Sequence, residues 1–249
     1  MFRIIIRGRN CHLYIRKCLE SLVLQTCPDW KAYVLLDAPK EIKKEMLVIW
    51  DFIDRLPQKI SEKIIVDAGK KHLGLCKNLW NGIELMRFAK IKDEDIVAIL
   101  DADDYLCSKK SLEIVAYKYE KNPTILLTYG SYIKATKGRT TRISQPYPSD
   151  ARVRRSPWRG SHLKTVKWKL LKHLRKDAFL NEDGNWLEAA SDVAMMLPLM
   201  EMAGMDRCKH ISAPIYYWRN NAKHHTKVAI QRRCNKIIRA KKPFERINL

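Results

Sequence analysis

Short apolar runs alternate with helical stretches through the first hundred residues, and this alternation leaves few folds open to the chain. The runs predict β-strands at residues 2–6, 32–36, 63–66 and 96–100. Between the first two runs, apolar residues recur at the spacing of one helical face across residues 14–25. Strands that alternate with helices form a doubly wound sheet. We therefore predict an α/β fold with a Rossmann-like, mostly parallel central sheet flanked by helices.

The composition excludes several other classes of protein. The 249 residues are 46% hydrophobic, which is too apolar for a disordered basic tail protein. The longest apolar runs are only a few residues, whereas a membrane-spanning helix needs about 20, and the first residues show no signal-peptide pattern. Seven cysteines without a Cys-x-x-Cys pair argue against a disulfide framework and a zinc ribbon. We expect a soluble, cytoplasmic protein with reduced thiols, with peripheral membrane association as an alternative.

The positive charge is concentrated in two blocks. The chain has a net charge of +21, from 48 Lys and Arg against 27 Asp and Glu. Residues 151–176 hold ten basic residues and no acidic one, and residues 219–249 hold ten against one, so these 57 residues carry +19. Solvated helix faces would explain any single lysine. Two blocks of this density favour an anionic partner, such as a nucleic acid, a phosphorylated glycan or a membrane surface.

Polar residues follow each predicted strand, at the edge where sheets of this kind bind ligands. The last strand is followed directly by Asp101, Ala102, Asp103 and Asp104. In an extended chain Asp101 and Asp103 point to the same side, and a hard divalent metal would relieve their repulsion. A turn with capping aspartates before a helix at 109–119 is the structural alternative. The cluster thus predicts a metal site that is open to phosphate oxygens.

Five short motifs follow one another in a specific order. They are Arg9-Asn10 after the first strand, Gln25-Thr26 near the end of the first helix, Asp37 after the second strand, Gly74-Leu75-Cys76-Lys77-Asn78, and the aspartate cluster at 101–104. In this order they resemble the family 2 glycosyltransferases with the GT-A fold, over about the first 110 residues. Ser161-His162-Leu163-Lys164-Thr165, and Ser191-Asp192 before an apolar helix, look like the acceptor-side segments of that family.

The resemblance implies a site for a nucleotide sugar at the strand ends. Asp37 would contact the nucleotide base, and Gly74 would let the backbone approach the donor closely. Asp103 would ligate a Mn²⁺ or Mg²⁺ ion that bridges the diphosphate, and Asp101 would approach the ribose or the metal. A helix cap is the alternative for Asp67, and an exposed loop is the alternative for His224. The other residues implied for the donor or metal site are Arg9, Asn10, Asp67, Lys77, Asn78, Ala102, Asp104 and His224.

The acceptor hydroxyl needs a base in line with the sugar carbon, and the resemblance implies Asp192. Asp192 precedes an apolar helix, where family members usually have Glu-Asp, and Ser191 replaces the Glu here. A helix cap is the alternative role for Asp192. The expected reaction is the inverting transfer of a sugar from a nucleotide-diphosphate sugar, with UDP as the expected nucleotide. Asp192→Asn is expected to fold normally and bind the donor but lose transfer.

The two basic blocks favour an acceptor that is anionic or lies on an anionic surface, such as a surface glycan or a lipid-linked saccharide. A hydroxylated base in DNA is the alternative, because the blocks could hold the phosphates of a duplex. In that case charge reversal of Arg154 and Arg155 should abolish transfer. His162 could contact the donor diphosphate or pack in a loop instead. The residues assigned to acceptor binding are Arg154, Arg155, Trp158, Arg159, His162 and Lys164.

Two other functions are compatible with parts of the pattern. A nucleotidyltransferase also places paired carboxylates and a metal at the end of an α/β sheet, but residues 7–10 are too short for its Gly-rich phosphate loop. A non-enzymatic nucleic-acid-binding protein would explain the charge but not the aspartates. We divide the chain into a donor half at 1–110, an acceptor half of the same domain at 111–218, and a basic tail at 219–249 that forms a helical C-terminal extension.

Overall fold

The computed structural model describes residues 1–38, 40–134, 140–142, 144–219 and 228–249. Its strands are β1 Phe2–Gly8, β2 Trp30–Leu36, β3 Ile64–Ala68, β4 Ile96–Asp101, β5 Tyr105–Leu106, β6 Leu127–Lys134, β7 Thr140–Arg142, β8 Lys164–Lys167 and β9 Cys208–Trp218. Its helices are α1 Ile15–Val23, α2 Ile42–Ile53, α3 Gln58–Ser61, α4 Leu75–Phe88, α5 Ser111–Lys121, α6 Trp168–Leu171, α7 Ser191–Ala203 and α8 Val228–Ala240.

The described strands form one mixed sheet, in the order β3-β2-β1-β4-β8-β6-β9-β5, with β7 beside β6. The four strands predicted from the sequence are confirmed as β1 to β4, and they pair in parallel. β8 pairs antiparallel with both β4 and β6, so the second half of the sheet is mixed. β8 escapes sequence prediction because it begins and ends with lysines, Lys164 and Lys167, although both are buried. This pairing joins the predicted donor and acceptor halves in one sheet.

Apolar side chains cover both faces of the parallel strands, as expected for a sheet with helices on each side. On one face, Ile5 of β1 and Ile99 of β4 pack in a core that includes residues of α4, α7 and α8. On the other face, Ile4 and Ile6 of β1 pack in a core that includes residues of α1, α2 and α5. The strands are therefore fixed from both sides, which holds their carboxyl ends in register.

Helix α7 is apolar around almost its whole surface, so it lies inside the protein rather than on it. Its first turn carries Asp192, and the preceding residue Ala190 adopts the left-handed conformation at φ +60°. Because the rest of the helix is buried, the position of Asp192 is set by core packing. No helix in the described part of the chain is long and apolar enough to cross a bilayer.

The predicted C-terminal extension is helical, and its described part packs on the core. Cys234 and Ile238 of α8 are buried. Arg239 donates to the carbonyl of Ser156 at 3.0 Å, and Lys241 donates to the carbonyl of Leu180 at 2.5 Å. These two cations of the second basic block hold the end of α8 against the body of the protein, so this described part of the segment is packed rather than free.

Gly8, the last residue of β1, lies directly against the turn that follows β4. A Cβ atom at Gly8 would lie 2.5 Å from the Cβ of Ala102 and 3.0 Å from the Sγ of Cys11. Both neighbours are buried, so the backbone would have to move. We expect Gly8→Ala to lower the free energy of unfolding by about 1–3 kcal/mol, measured by urea denaturation. A denaturation midpoint equal to that of the wild type would contradict this.

Candidate active site

Four charged side chains from four different elements meet at the carboxyl-end edge of the parallel strands. Arg7 lies near the end of β1, Asp101 ends β4, Lys164 begins β8, and Asp192 lies in the first turn of α7. We refer to these four residues as the Arg7 cluster. Their formal charges balance, because two cations face two carboxylates. The sheet edge therefore holds a compact, neutralised group of charges where the sequence predicts the chemistry.

Arg7 lies at the centre of the cluster, with a side chain that is only 5% exposed. Its Nε donates to Oδ1 of Asp101 at 2.8 Å, its Nη2 donates to Oδ1 of Asp192 at 2.8 Å, and its Nη1 donates to Oγ of Ser191 at 2.6 Å. Burial would lower the pKa of Arg7, but attraction to the two carboxylates raises it above its ordinary value. One guanidinium thus links the predicted donor-side aspartate to the predicted base.

Asp192 has a cation on each of its carboxylate oxygens. Oδ1 accepts from Arg7, and Oδ2 forms an ion pair with Nζ of Lys164 at 2.9 Å. The same Nζ lies 2.8 Å from Nδ1 of His162. Burial would raise the pKa of Asp192, but Lys164 and Arg7 together hold it well below its usual range. Asp192 is therefore ionised throughout the physiological range of pH.

His162 is held between aromatic side chains. Its ring stacks on Tyr216 with the centroids 4.5 Å apart, and it meets the ring of Tyr132 edge to face at 5.7 Å. Burial, together with the positive charge of Lys164, lowers the pKa of His162 to about 3. His162 is therefore neutral at physiological pH. Since the Lys164 ammonium donates to Nδ1, the ring hydrogen is on Nε2.

Asp104, the last residue of the predicted aspartate cluster, is buried and has a structural role. It accepts from the Tyr216 hydroxyl at 2.7 Å and from the backbone nitrogen of Arg219 at 2.7 Å. Burial, and then repulsion from Asp101 and Asp103, raises the pKa of Asp104 well above its ordinary value. Asp104 thus ties the turn after β4 to the end of β9.

Asp37 is buried after β2 and organises the loop that leads into α4. Its carboxylate accepts from the backbone nitrogens of Leu73 at 2.6 Å and Gly74 at 3.0 Å, and from Nδ1 of His72 at 2.7 Å. Gly74 has φ +84°, a conformation that favours glycine. The structure therefore shows how Asp37 and Gly74 are brought together, and contact between Asp37 and a nucleotide base remains a prediction.

Two predicted donor residues, Arg9 and Asn10, lie in the exposed loop after β1. Nε of Arg9 donates to the carbonyl of Ala38 at 3.4 Å, and Oδ1 of Asn10 accepts from the backbone nitrogen of Lys40 at 2.9 Å. These bonds connect the loop after β1 with the loop after β2. Arg9 and Asn10 therefore lie beside the loop that contains Asp37, and their contact with a donor stays a prediction.

The remaining donor candidates lie in different surroundings. Asn78 is buried in α4, and its side chain donates to the carbonyl of Leu35 at 3.3 Å, which fixes α4 to β2. Nζ of Lys77 lies 5.9 Å from the ring centroid of Trp186. Asp67 is exposed on the edge strand β3, and Ala102 is buried against Gly8. His224 falls outside the described residues.

Arg154 is buried and does not present its charge at the surface. Its Nε and Nη2 donate to the two carboxylate oxygens of Glu201 at 2.6 and 2.9 Å, and it also donates to the carbonyl of Ile238. The expectation that Arg154 contacts an acceptor therefore changes, because its donors hold α8 to α7. Arg155 is exposed, so it alone of the pair suits a charge-reversal test.

Trp158 and Arg159 are partly buried in the segment before β8. Trp158 packs against the core that contains α7, and its ring lies so close to Gly160 that a Cβ there would be 2.7 Å from it. The backbone nitrogen of Arg159 donates to the Tyr147 hydroxyl at 2.9 Å. Both residues therefore stabilise this segment, and their contact with an acceptor stays a prediction.

Most cations of the first basic block have carboxylate partners. The ion pairs are Arg154 with Glu201, Lys164 with Asp192, Lys167 and Lys169 with Glu94, Lys172 with Asp93, and Arg175 with Asp177. The four other cations of residues 151–176 stand outside these pairs: Arg152, Arg155 and Lys176 are exposed, and Arg159 is partly buried. The free positive surface is thus smaller than the density of charge in the sequence predicts.

Asp101 and Asp103 are the two residues that the sequence predicts as ligands of the metal. Both offer carboxylate oxygens, the ligands that Mg²⁺ and Mn²⁺ prefer. In the described part of the chain, no three His, Cys, Asp or Glu side chains form a complete metal site. A metal ion at these two carboxylates would need further ligands from outside the described residues, and its presence stays a prediction. Burial raises the pKa of Asp101 despite its pair with Arg7, so a cation there would stabilise the ionised form.

Sequence reasoning did not identify Arg7, Tyr216 or Glu45 as residues of the site. Glu45 in the first turn of α2 is fully buried and accepts from the backbone nitrogen of Cys11, which holds the loop after β1. The sequence signals for them were weak: Glu45 is a charged residue within an apolar helical face, and Arg7 is a charged residue at the end of an apolar strand. Their partners come from distant parts of the chain, so the sequence pattern alone does not show them.

Comparison with known proteins gives the family of this chain. A family model described as glycosyl transferase family 2 matches residues 4–174. An uncharacterized glycosyltransferase of Mycoplasma genitalium is 28% identical over 149 residues, which are 59% of this chain and 44% of that protein. The chain therefore spans less than half the length of this curated relative.

Solved structures share the fold. A structure of S. aureus TarS, residues 1–349, has a TM-score of 0.62 at 18% identity, covering 88% of this chain and 60% of that one. The same protein in complex with UDP-GlcNAc has a TM-score of 0.62 at 17% identity, covering 91% and 60%. Glucosyl-3-phosphoglycerate synthase of Mycobacterium tuberculosis has a TM-score of 0.58 at 15% identity, covering 96% and 78%. These similarities confirm the predicted GT-A fold, and since the family model matches more than half of the chain, this protein belongs to glycosyl transferase family 2.

Proposed function

We propose that this protein transfers a sugar from a nucleotide-diphosphate sugar to an acceptor hydroxyl. The observation that carries the proposal is the Arg7 bridge, which links Asp101 at the end of β4 to Asp192 at the start of α7. The bridge brings a donor-side carboxylate and a candidate base to one place. Membership of the family and the UDP-GlcNAc complex of TarS support a UDP-sugar as the first donor to test.

The proposed reaction is a single displacement with inversion, in which Asp192 acts as the general base. The acceptor O–H bond breaks as Asp192 takes the proton, and the acceptor oxygen bonds to the anomeric carbon of the sugar. The bond between that carbon and the diphosphate breaks, and its electron pair leaves with the nucleotide diphosphate. Asp192 suits this role because it is ionised and its side chain is 28% exposed, which lets an acceptor reach it.

Asp103 and Asp101 would hold a Mn²⁺ or Mg²⁺ ion at the donor side of the site. Such an ion supplies Lewis-acid stabilisation of the charge on a departing diphosphate. Arg7 would also support the metal site, because its bond to Asp101 holds that carboxylate at the strand end. The acceptor is proposed to be anionic or to lie on an anionic surface, with exposed Arg155 rather than buried Arg154 as the residue to test.

A panel of nucleotide sugars with Mn²⁺ tests the proposed donor. We expect slow hydrolysis of one nucleotide sugar in the absence of acceptor, detected by release of the nucleoside diphosphate. Hydrolysis of none, with retention of the protein on DNA instead, would favour a nucleic-acid-binding protein. Release of pyrophosphate from a nucleoside triphosphate would favour a nucleotidyltransferase.

Asp103→Asn tests the metal and donor site directly. We expect binding of UDP with Mn²⁺ to weaken by roughly 10-fold to 100-fold or more, because a ligand of the ion is lost. Calorimetric titration measures this without turnover. Asp54→Asn, an exposed aspartate at the C-terminal end of α2, is the matched control and should bind as the wild type does. Equal affinity in the Asp103 and Asp54 variants would exclude Asp103 as a ligand.

A further inference from the structure

We propose that Lys164, held in place by His162, is the positioning residue that orients the Asp192 carboxylate for catalysis. The proposal rests on the proposed function of Asp192 and replaces the expectation that His162 and Lys164 bind the acceptor. It assigns the pair of residues to one task, which is to hold one oxygen of the base while Arg7 holds the other.

Lys164 is placed too deeply to serve as a surface contact for a ligand. Its side chain is 1% exposed, and it begins β8, where it is paired in register with Ile99 of β4. Its ammonium lies 2.9 Å from Oδ2 of Asp192 and 2.8 Å from Nδ1 of His162. A buried ammonium is costly unless it is paired and hydrogen-bonded, and these two contacts supply both conditions. The chain thus keeps a lysine in its interior at the position where it meets the base.

His162 limits the directions that the lysine can take. The neutral ring offers a lone pair on Nδ1, and stacking on Tyr216 fixes the plane in which that lone pair points. Tyr216 is itself anchored by its hydroxyl to Asp104. The ammonium therefore has one acceptor of fixed direction on the His162 side and one on the Asp192 side. These two contacts restrict the conformations of the Lys164 side chain, which is flexible when unpaired.

The arrangement still leaves Asp192 able to accept a proton. A carboxylate has about four lone-pair sites, and Arg7 and Lys164 use one on each oxygen. Among the described residues, the charged and titratable groups facing Asp192 are Arg7 from β1, Lys164 from β8, His162 from the segment before β8, Asp101 from β4 and the buried thiol of Cys76 from α4. The attraction of the two cations exceeds the repulsion from the one carboxylate. Asp192 is therefore oriented and kept ionised, and it is a weaker base than an isolated aspartate. An acceptor hydroxyl would approach through a remaining lone pair.

Two pairs of variants test the proposal. Lys164→Met removes the charge and keeps the length, whereas Lys164→Arg keeps the charge. His162→Phe keeps the stacked ring and removes the acceptor atom, whereas His162→Asn keeps an acceptor near the position of Nδ1. The readouts are the carboxyl resonance of Asp192, followed by NMR over a range of pH with ¹³C-labelled aspartate, the affinity for UDP with Mn²⁺, and kcat and KM. Asp192→Asn assigns the resonance.

In Lys164→Met we expect the Asp192 carboxyl to titrate about 1–3 pH units higher than in the wild type, because a neighbouring cation is lost. The acid limb of kcat should move to higher pH with it, since the base is protonated sooner as the pH falls. At neutral pH, kcat should fall by roughly 10-fold to 100-fold while UDP affinity is unchanged. In the titration of Asp192 and in kcat, Lys164→Arg should be closer to the wild type than Lys164→Met, and His162→Asn should be closer than His162→Phe.

The result that overturns the proposal is a titration and a kcat in Lys164→Met that equal those of the wild type. A loss of UDP affinity in proportion to kcat would overturn it as well, because it would show a donor contact. Should Lys164→Met fail to fold, the two His162 variants decide by the same criteria. The Asp192 resonance and the UDP affinity can be measured without turnover. If the wild-type protein transfers no sugar, the proposed function is contradicted. The titration of Asp192 then still tests whether Lys164 holds its carboxylate.

Discussion

Asp192→Asn is expected to lower sugar transfer by roughly 10²-fold to 10⁴-fold, because the acceptor hydroxyl loses its general base. The amide keeps the size of the side chain, so UDP and Mn²⁺ should bind with unchanged affinity. Comparison of kcat with the dissociation constant of UDP checks this result. Turnover at the wild-type level would contradict the assignment of Asp192.

The structure also predicts that Asp192→Asn lowers the free energy of unfolding, which the sequence did not indicate. Asp192 is the carboxylate partner of buried Lys164, and removing one member of a buried pair costs about 3–5 kcal/mol. Because Asp192 is partly exposed, we expect a smaller loss of about 1–3 kcal/mol in the free energy of unfolding. The expectation of normal folding is therefore revised to folding with reduced stability.

A double variant separates the two effects of Asp192→Asn. Adding Lys164→Met removes the uncompensated ammonium, so the free energy of unfolding should recover while transfer stays lost. Urea denaturation and a transfer assay on the same preparations measure both. If stability does not recover, the loss in the single variant has a cause other than the Lys164 charge.

Arg7→Met is expected to have the largest effect on stability. The guanidinium is buried and pairs with both Asp101 and Asp192, so its removal takes the cation from Asp101 and leaves Asp192 with Lys164 alone. We expect a loss of about 3–5 kcal/mol and a fall in the melting temperature of roughly 10 °C. Transfer should fall strongly too, because Asp192 loses the support of one oxygen. Arg7→Lys keeps the charge but not the forked geometry, so its stability and its transfer rate should lie between those of Arg7→Met and the wild type.

The effect of Arg7→Met should depend on pH in a defined direction. Without the cation, Asp192 still pairs with Lys164, so the main change is at Asp101. Its pKa, which burial already raises, should rise further above its unfolded value, as for any buried carboxyl that lacks a cation. Such a carboxyl destabilises the folded protein at neutral pH, and the destabilisation is relieved as the pH falls and it takes up a proton. The difference in melting temperature from the wild type should therefore be smaller at pH 4 than at pH 7. A difference that grows at low pH would contradict the bridging role of Arg7.

The sequence by itself determined the parallel half of the sheet and the edge of the sheet where the candidate site lies. The four strands are apolar runs that bury both faces, and such runs are local patterns that need no partner to be recognised. The ends of these strands carry Asp37 and Asp101, and strand polarity alone brings them to one edge. The position of these carboxylates at the strand ends was therefore predictable from residues close together in the chain.

Only the tertiary structure decided what each charge does. Residues 151–176 look like a free basic surface in the sequence, yet Arg154 pairs with Glu201 and Lys167 pairs with Glu94. Likewise Arg7 meets Asp192 across a sequence separation of 185 residues, and Lys164 is buried in a strand that the sequence did not predict. The physical reason is that an ion pair depends on the distance between two side chains in space, and a count of charges along the chain contains no such distance.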